Sequence, residues 1–277
     1  MVTATVPGEA RPRVDRYLRH VDRLLPGRVL GLYLVGSAAL GAYRPGYSDL
    51  DVVAVTDGPF GPDDLRRLRL VHVAAGAGSV ARALARGRLR IPGTVNAVYV
   101  AAGDLSRPVT TIVPVASHVG HEFHPGRGFD VNPVMWSVLA SRGVAVRGPG
   151  PASLGLDPEP GALRDWNLAN LEGYWSSWAA GVLARPRARR LGARWLVSWG
   201  VLGAPRLHCT VATGEVVSKE AAGEYALATF DDRWRPVIEE GLAYRTGRPS
   251  PEHFPSLTAR AHEAGRFVQE VVADARA

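Results

Sequence analysis

The stretch from Leu30 to Val55 constrains the fold most, because it joins two apolar runs through a glycine-rich turn. The first run ends at Gly36-Ser37, and the second opens with Asp49 and Asp51, which are separated by one residue. Apolar, β-branched runs bounded by turn residues are typical of buried strands. The stretch therefore predicts a strand, a loop that can approach a phosphate, and a second strand that carries two carboxylates.

The spacing of the two aspartates suits a metal ion. Alternate residues of a strand share a face, so Asp49 and Asp51 project from the same side. Adjacent carboxylates repel each other unless a cation joins them, and hard oxygen ligands suit Mg²⁺ that nucleotide phosphates also hold. Gly36 allows close approach of the backbone, and Ser37 offers an N–H and a hydroxyl at the start of a short helix. An Asp-x-Asp pair alone is common as a solvated strand end, and a Gly-Ser pair alone is common as a turn. The order of the two pairs, with Ser48 before the first aspartate, favours a nucleotide site.

These motifs resemble a known signature. Gly36-Ser37 followed by Ser48-Asp49-Leu50-Asp51 is similar to the signature of the nucleotidyltransferase superfamily that includes polymerase beta. The resemblance implies transfer of a nucleoside monophosphate to an acceptor, with pyrophosphate leaving. It also implies that Asp49 and Asp51 hold the metal and that Gly36, Ser37 and Ser48 cradle the triphosphate.

Composition limits the class of protein. The 277 residues, 46% of them apolar, suffice for one large domain or two modest ones. A single cysteine excludes a disulfide framework, and we find neither an export signal nor a membrane-spanning stretch, so we expect a soluble, cytoplasmic protein and a monomer. The net charge is +7, and nearly all of the basic residues are arginine. This composition suits a polyanionic ligand such as a nucleotide, or equally reflects a high-GC genome. The sequence has no basic run with interleaved aromatic residues, which is the pattern that would indicate a nucleic-acid partner.

The order of elements predicts an α/β domain followed by helices. Five further segments complete a mixed-sheet nucleotidyltransferase domain, residues 1–150. They are a helix over 12–25, a helix over 62–75, a strand over 94–101, an irregular segment over 114–127 and a helix over 133–142. The stretch from Gly148 to Gly161, rich in proline and glycine, marks the boundary. Apolar residues at helical spacing then predict an all-α domain over residues 151–277, with helices over 163–183, 188–202, 218–229, 234–244 and 257–272.

The second half sharpens the resemblance. Arg206-Leu-His-Cys, the segment Thr213–Glu220 and the segment Trp234–Tyr244 are similar to the helical domain of the streptomycin and spectinomycin adenylyltransferases. The resemblance implies an Mg²⁺-dependent enzyme that moves AMP from ATP to a small-molecule hydroxyl. It also implies that Arg206, Lys219 and Tyr244 contact ATP, which agrees with the ability of cations to neutralise a triphosphate and of a tyrosine to stack on a base.

One departure from that family concerns the general base. The family has a glutamate on the third strand, whereas this strand reads Thr94-Val-Asn-Ala-Val. Asn96 can position a hydroxyl but cannot accept its proton, a role that contributes about 10²–10⁴ in rate. Either another group replaces the base, the candidates being Asp104, Glu122, Asp130 and a neighbouring histidine, or the protein is an ATP-binding paralogue or sensor with little transfer activity.

A second departure concerns the acceptor. Between Gly161 and Thr210 the chain has seven arginines, five of them at positions 185–194, against two acids. Such a surface should repel a cationic aminoglycoside, so an uncharged or anionic metabolite is the alternative to the family's default acceptor, and a protein or RNA acceptor is permitted but not required. Trp175 and Trp178 lie where the family stacks a tryptophan on its drug, although both could simply pack their helix.

Histidines cluster in the segment 118–124. His118, His121, Glu122 and His124 have a spacing that could ligate a metal, but a solvated loop is the favoured interpretation because no cysteine or further acid joins them. The family places this loop near its site, so Glu122 and Phe123 are further candidates for contact with the acceptor or ATP.

Overall fold

The computed structural model describes residues 5–85 and 94–276, except for the side chains of residues 78–85 and of Arg189. The chain forms two compact units, Met1–Glu159 (unit 1) and Pro160–Ala277 (unit 2). The units divide near the far end of the stretch 148–161, where the sequence predicted a boundary after residue 150.

Unit 1 is built on a mixed sheet. Its strands are β1 Val29–Leu34, β2 Leu50–Thr56, β3 Val95–Ala101, β4 Ala116–Val119, β5 Glu122–Pro125 and β6 Val144–Arg147. They lie in the order β5-β4-β3-β2-β1-β6, with β2 and β3 parallel and every other pair of neighbours antiparallel. The predicted α/β fold with a mixed sheet is confirmed.

The described part of unit 1 also contains four α-helices. They are α1 Arg11–Leu24, α2 Gly36–Ala39, α3 Pro62–Ala85 and α4 Pro133–Arg142. α1 and α3 pack on each other and bury one face of the strands in an apolar core that includes Tyr17, Leu50 and Tyr99. α4 packs against α2 and begins where the Asn132 side chain accepts a hydrogen bond from the Met135 N–H at 2.9 Å.

The segment that the sequence predicted to be irregular, 114–127, is a β-hairpin. β4 pairs with β3 and with β5, and the turn between β4 and β5 contains Gly120 at φ +62°. His118 and Phe123 project from one face of this hairpin, and Glu122 and His124 from the other, as strand alternation requires. The prediction of an irregular segment was therefore wrong, although His121 and Glu122 are exposed, as predicted for a solvated segment.

Unit 2 consists of helices among its described residues, as predicted. They are α5 Pro160–Asn170, α6 Ser176–Leu183, α7 Arg194–Thr213, α8 Lys219–Thr229, α9 Arg235–Thr246 and α10 Leu257–Asp274, with a π-helical turn Leu171–Trp175 joining α5 to α6. The predicted helix over 188–202 was placed too early. The backbone of Gly192 packs so closely on Leu257 that a Cβ there would collide, and α7 starts only at Arg194.

Among the residues that the structure describes, no helix is both long enough and apolar enough to cross a membrane.

Candidate active site

The two aspartates lie at the start of a central strand. Asp49 directly precedes β2 and is exposed, whereas Asp51 is half-buried within it. In the parallel pair, Asp51 stands opposite Asn96 of β3. Since β2 and β3 are both interior strands of the sheet, their backbones hold these side chains in a fixed register.

A chain of hydrogen bonds joins the two aspartates. Asp49 Oδ1 accepts from the backbone N–H of Thr94 at 2.7 Å, and the Thr94 hydroxyl donates to Asn96 Oδ1 at 2.8 Å. Asn96 Nδ2 in turn donates to Asp51 Oδ1 at 3.0 Å. Each carboxylate is thus oriented by a donor from the neighbouring segment.

Asn96 has three partners that determine its orientation. Its Oδ1 accepts from the Thr94 hydroxyl and from the N–H of Gly120 at 3.1 Å, and its Nδ2 faces the carboxylate of Asp51. Both its oxygen and its amide group are engaged, and an amide does not accept a proton at neutral pH. Asn96 therefore positions Asp51 rather than acting as a base. The sequence predicted that Asn96 could position the acceptor's hydroxyl, which stays a prediction, and it gave no sign that Asn96 would bind Asp51 and Gly120.

Gly36 allows the phosphate-loop segment to lie against Asp51. It has a φ of +53°, and a Cβ at this position would collide with the Asp51 carboxylate. The backbone N–H of Val35 also donates to the carbonyl of Asp51 at 3.0 Å. The short helix α2 starts here and contains Ser37, as the sequence predicted. The turn, the carboxylate and the helix start are therefore brought together.

Ser48 lies in the turn before Asp49. It is buried, its hydroxyl accepts from the N–H of Arg44 at 3.0 Å, and its N–H donates to the Arg44 carbonyl at 2.8 Å. These bonds close the turn that delivers Asp49 to the strand end. A contact between Ser48 and a triphosphate stays a prediction.

The oxygens at this edge fit a magnesium ion. Asp49 and Asp51 supply hard carboxylate oxygens from one face, which Mg²⁺ prefers. Among the described residues, no group of three or more His, Cys, Asp or Glu side chains could hold a metal ion. Because Mg²⁺ commonly binds one or two carboxylates together with substrate phosphates, the donor set fits a metal that arrives with its nucleotide.

A third carboxylate, that of Asp130, interacts electrostatically with Asp51. It is half-buried in the segment between β5 and α4. Burial and, second, the charge of Asp51 raise the pKa of Asp130 to about 6. The other two candidate bases differ: Asp104 pairs with Arg107 at 3.2 Å, and Glu122 is exposed and pairs with His124 at 3.0 Å.

The histidine cluster does not form a metal centre. His118 stacks on His72 of α3 at 3.8 Å between ring centroids, and its Nδ1 lies 3.1 Å from the Val95 carbonyl. His72 Nε2 lies 2.7 Å from the hydroxyl of Tyr99, and burial, followed by the charge of His118, lowers the pKa of His72 well below its ordinary value. These rings belong to the core under the sheet. Phe123 packs against the same core.

The predicted ATP contacts of unit 2 lie on three helices that pack on each other, α7, α8 and α9. Arg206 of α7 donates from Nε to the carbonyl of Val217 at 3.1 Å, just before α8. Lys219 begins α8, and its amine lies 4.6 Å from the centroid of the Trp199 ring. Tyr244 is half-buried on α9.

The aromatic side chains of unit 2 divide into buried and exposed ones. Trp175 is only 4% exposed and packs over Gly203, and Trp178 packs over Gly200. These positions favour the packing interpretation, so a contact between either ring and an acceptor stays a prediction. Tyr174 is 50% exposed and Trp199 is 41% exposed, and their side chains meet at 3.3 Å.

Comparisons with known proteins agree with this organisation. Residues 14–77 match the model of the nucleotidyltransferase domain, and residues 190–273 match the model of the aminoglycoside adenylyltransferase C-terminal domain. No curated protein matches the chain. A crystal structure of spectinomycin adenyltransferase from Enterococcus faecialis, with ATP and spectinomycin, is similar in fold, with a TM-score of 0.63 and 12% identity over 94% of this chain and 99% of that one.

Proposed function

Since the chain belongs to the aminoglycoside nucleotidyltransferase family, we propose that it moves AMP from ATP to a hydroxyl of a small molecule. The observation that carries the proposal is the edge at which Asp49, Thr94, Asn96 and Asp51 are joined by hydrogen bonds, with Gly36 against the Asp51 carboxylate. A plain strand end would not need two oriented carboxylates beside a glycine that no other residue can replace without a collision.

Asp49 and Asp51 are proposed to hold Mg²⁺ together with the triphosphate. When bound, the ion neutralises charge on the phosphates as pyrophosphate leaves. Gly36, whose backbone lies against the Asp51 carboxylate, and Ser37, the next residue in α2, are proposed to contact the triphosphate through their N–H groups. In unit 2, Arg206, Lys219 and Tyr244 are proposed to contact ATP; the first two are the cations that the packed helices α7 and α8 bring to neighbouring positions.

The acceptor is proposed to be a small-molecule hydroxyl, with an aminoglycoside as the family's default and an uncharged or anionic metabolite as the alternative that the arginines favour. Arg185, Arg187 and Arg190 are exposed, whereas Arg194 pairs with the buried Glu240 at 3.2 Å. An exposed basic segment disfavours a polycation. The exposed pair Tyr174 and Trp199 offers an aromatic surface for a sugar or planar acceptor.

A second function is favoured by one observation. Asn96 lies opposite Asp51 on β3, the strand on which the resembled family carries its glutamate base, so an ATP-binding protein with little transfer activity, such as a sensor, is the competing proposal. The two proposed functions predict different turnover but the same nucleotide binding. We also expect a cytoplasmic monomer, which gel filtration of the purified chain and fractionation of the source cells would check.

Pyrophosphate release from Mg·ATP distinguishes the two functions. The assay would be run with spectinomycin, streptomycin, neutral and acidic sugars, and nucleosides, with calorimetric titration of Mg·ATP alongside. Release with one acceptor supports the transferase, and binding without release supports the sensor. Asp51→Asn should abolish Mg²⁺-dependent ATP binding, whereas Asp63→Asn, on the exposed first turn of α3, should not. Undiminished binding in Asp51→Asn would remove the basis of both proposals.

A further inference from the structure

The segment before α4 crosses the sheet on the same face as the two aspartates. Strand alternation and register place Asp51, Asn96, Val98 and Ser117 on one face. Gly128 packs directly on that face, because a Cβ there would lie 3.1 Å from Val98 Cγ2 and 3.1 Å from Ser117 Cβ.

The far end of the segment is fixed beside α2. Asn132 caps α4, which packs on α2, the helix that starts beside Asp51. Asn132 Nδ2 also donates to the carbonyl of Phe129 at 2.7 Å, which tightens the turn between the two anchors. Asp130 lies between Gly128 and Asn132, so its backbone follows this face of the sheet, and the residue is half-buried.

From this placement we propose that Asp130 is the proton acceptor for the acceptor hydroxyl, a role that Asn96 cannot perform. The inference rests on the proposed function. The hydroxyl oxygen forms a bond to the α-phosphorus of ATP, the bond from that phosphorus to the pyrophosphate oxygen breaks, and the hydroxyl proton passes to the Asp130 carboxylate and then to solvent. Burial, the larger cause, raises the pKa of Asp130 towards the working pH, where a base is most effective.

The competing carboxylates are less well placed. Asp104 lies beyond Ala101, the end of β3 that is about 16 Å from Asn96 at 3.3 Å per residue, and it pairs with Arg107. Glu122 shares the face of Asp51 but lies on β5, two strands from β3 and about 10 Å away, and its partner is His124. Of these three carboxylates, Asp130 belongs to the segment that packs over β3 on the face of Asp51.

The test separates chemistry from binding. With the full chain and the acceptor that the pyrophosphate assay selects, Asp130→Asn should lower kcat about 10²–10⁴-fold while the calorimetric affinity for Mg·ATP changes less than threefold. Asp130→Glu should retain more activity than Asp130→Asn, and Asp130→Asn combined with Asn96→Glu should recover part of the loss, because the second change returns a carboxylate to β3. Asp63→Asn is the matched control, and its kcat should equal that of the unsubstituted protein.

Each outcome decides the proposal. A kcat for Asp130→Asn within threefold of the unsubstituted protein overturns it and leaves the proposed transfer intact. A loss on Glu122→Gln instead assigns the proton to Glu122 and also overturns it. If the unsubstituted protein binds Mg·ATP and transfers to no acceptor, both this inference and the proposed transfer fail together. Loss of Mg·ATP binding in Asp130→Asn would show that the residue serves the nucleotide site, which again contradicts the role of proton acceptor.

Discussion

Asn96→Asp tests whether Asp51 needs a neutral hydrogen-bond donor beside it on β3 and is destabilised when a second negative charge takes that position. The substitution retains the shape of the side chain and the two donors to its Oδ1, from Thr94 and Gly120. It replaces the amide that donates to Asp51 Oδ1 at 3.0 Å with a second carboxylate oxygen. An attraction therefore becomes a repulsion without a change in packing volume.

The magnitude follows from two contributions. Loss of a hydrogen bond to a charged acceptor costs about 1.5–3 kcal/mol. Two unit charges about 3 Å apart repel by about 1.4 kcal/mol at the dielectric constant of water and about 5.5 kcal/mol at an effective value of 20. The pair can escape by binding one proton, which costs about 4 kcal/mol at pH 7 for a carboxyl of ordinary pKa and about 1.5 kcal/mol at pH 5. We therefore expect destabilisation of about 3–4 kcal/mol at pH 7 that falls to about 1.5 kcal/mol at pH 5.

The sign of this pH dependence is specific to repulsion. The new pair has a raised folded-state pKa, so the variant loses stability, relative to the unsubstituted protein, as pH rises. Native-state hydrogen exchange at the amides of β2 and β3, in EDTA at pH 5 and pH 7, measures the free energy of opening of unit 1. Asn96→Ala serves as the control, because it removes the same bond without adding charge. If Asn96→Asp and Asn96→Ala cost the same free energy at both pH values, the reasoning is refuted.

Three further predictions concern other parts of the structure. Gly36→Ala should destabilise unit 1 by at least about 1 kcal/mol more than Gly41→Ala, because both glycines have positive φ but only Gly36 faces a carboxylate; urea unfolding measures this. His72 is held neutral in the fold, so its contribution to stability is present above about pH 6.5 and is lost as pH falls, and His72→Gln should flatten the pH dependence of unfolding. Glu240→Gln should cost about 3–5 kcal/mol because Glu240 is 1% exposed between two arginines, whereas Glu252→Gln, at a site 78% exposed, should cost less than about 1 kcal/mol in thermal unfolding.

The outcomes that would contradict these predictions differ. Equal costs for the two glycine variants would mean that the close approach to Asp51 relaxes without penalty. A pH dependence unchanged by the loss of His72 would assign the acid sensitivity to other groups. A small effect of Glu240→Gln would show that Arg194 and Arg260 find solvent or other partners when the charge is removed.

The sequence predicted the parts of the fold whose signals are local. The stretch 30–55 carries its own strands, turn and carboxylates, and the helix over 133–142 has its asparagine cap and its proline at the start, so these matched closely. The hairpin of β4 and β5 has only four residues in each strand, with one face in the core. Four residues are too few to show a period of two, and the pairing depends on β3, which lies far away in the sequence.

Helix α7 shows what the helical spacing of apolar residues cannot predict. Leu191, Trp195, Trp199 and Leu202 recur at helical spacing, but Trp195 and Trp199 are exposed, and the helix continues through Pro205 to Thr213. Periodicity cannot identify which partner buries a face. The contact between Gly192 and Leu257, which sets where the helix begins, is a tertiary contact with no local signal.

The candidate site was predicted residue by residue on β2, but its organisation was not. The order of Gly36, Asp49 and Asp51 indicated a nucleotide site, whereas the role of Asn96 could be assigned only after the register opposite Asp51 was known. An amide at this position separates two tasks that one carboxylate on β3 would combine. It orients Asp51 without adding negative charge beside it, so a base can be supplied from another segment that crosses the same face. Asp130 lies in such a segment, which is why the proposed chemistry of this chain is tested at that residue.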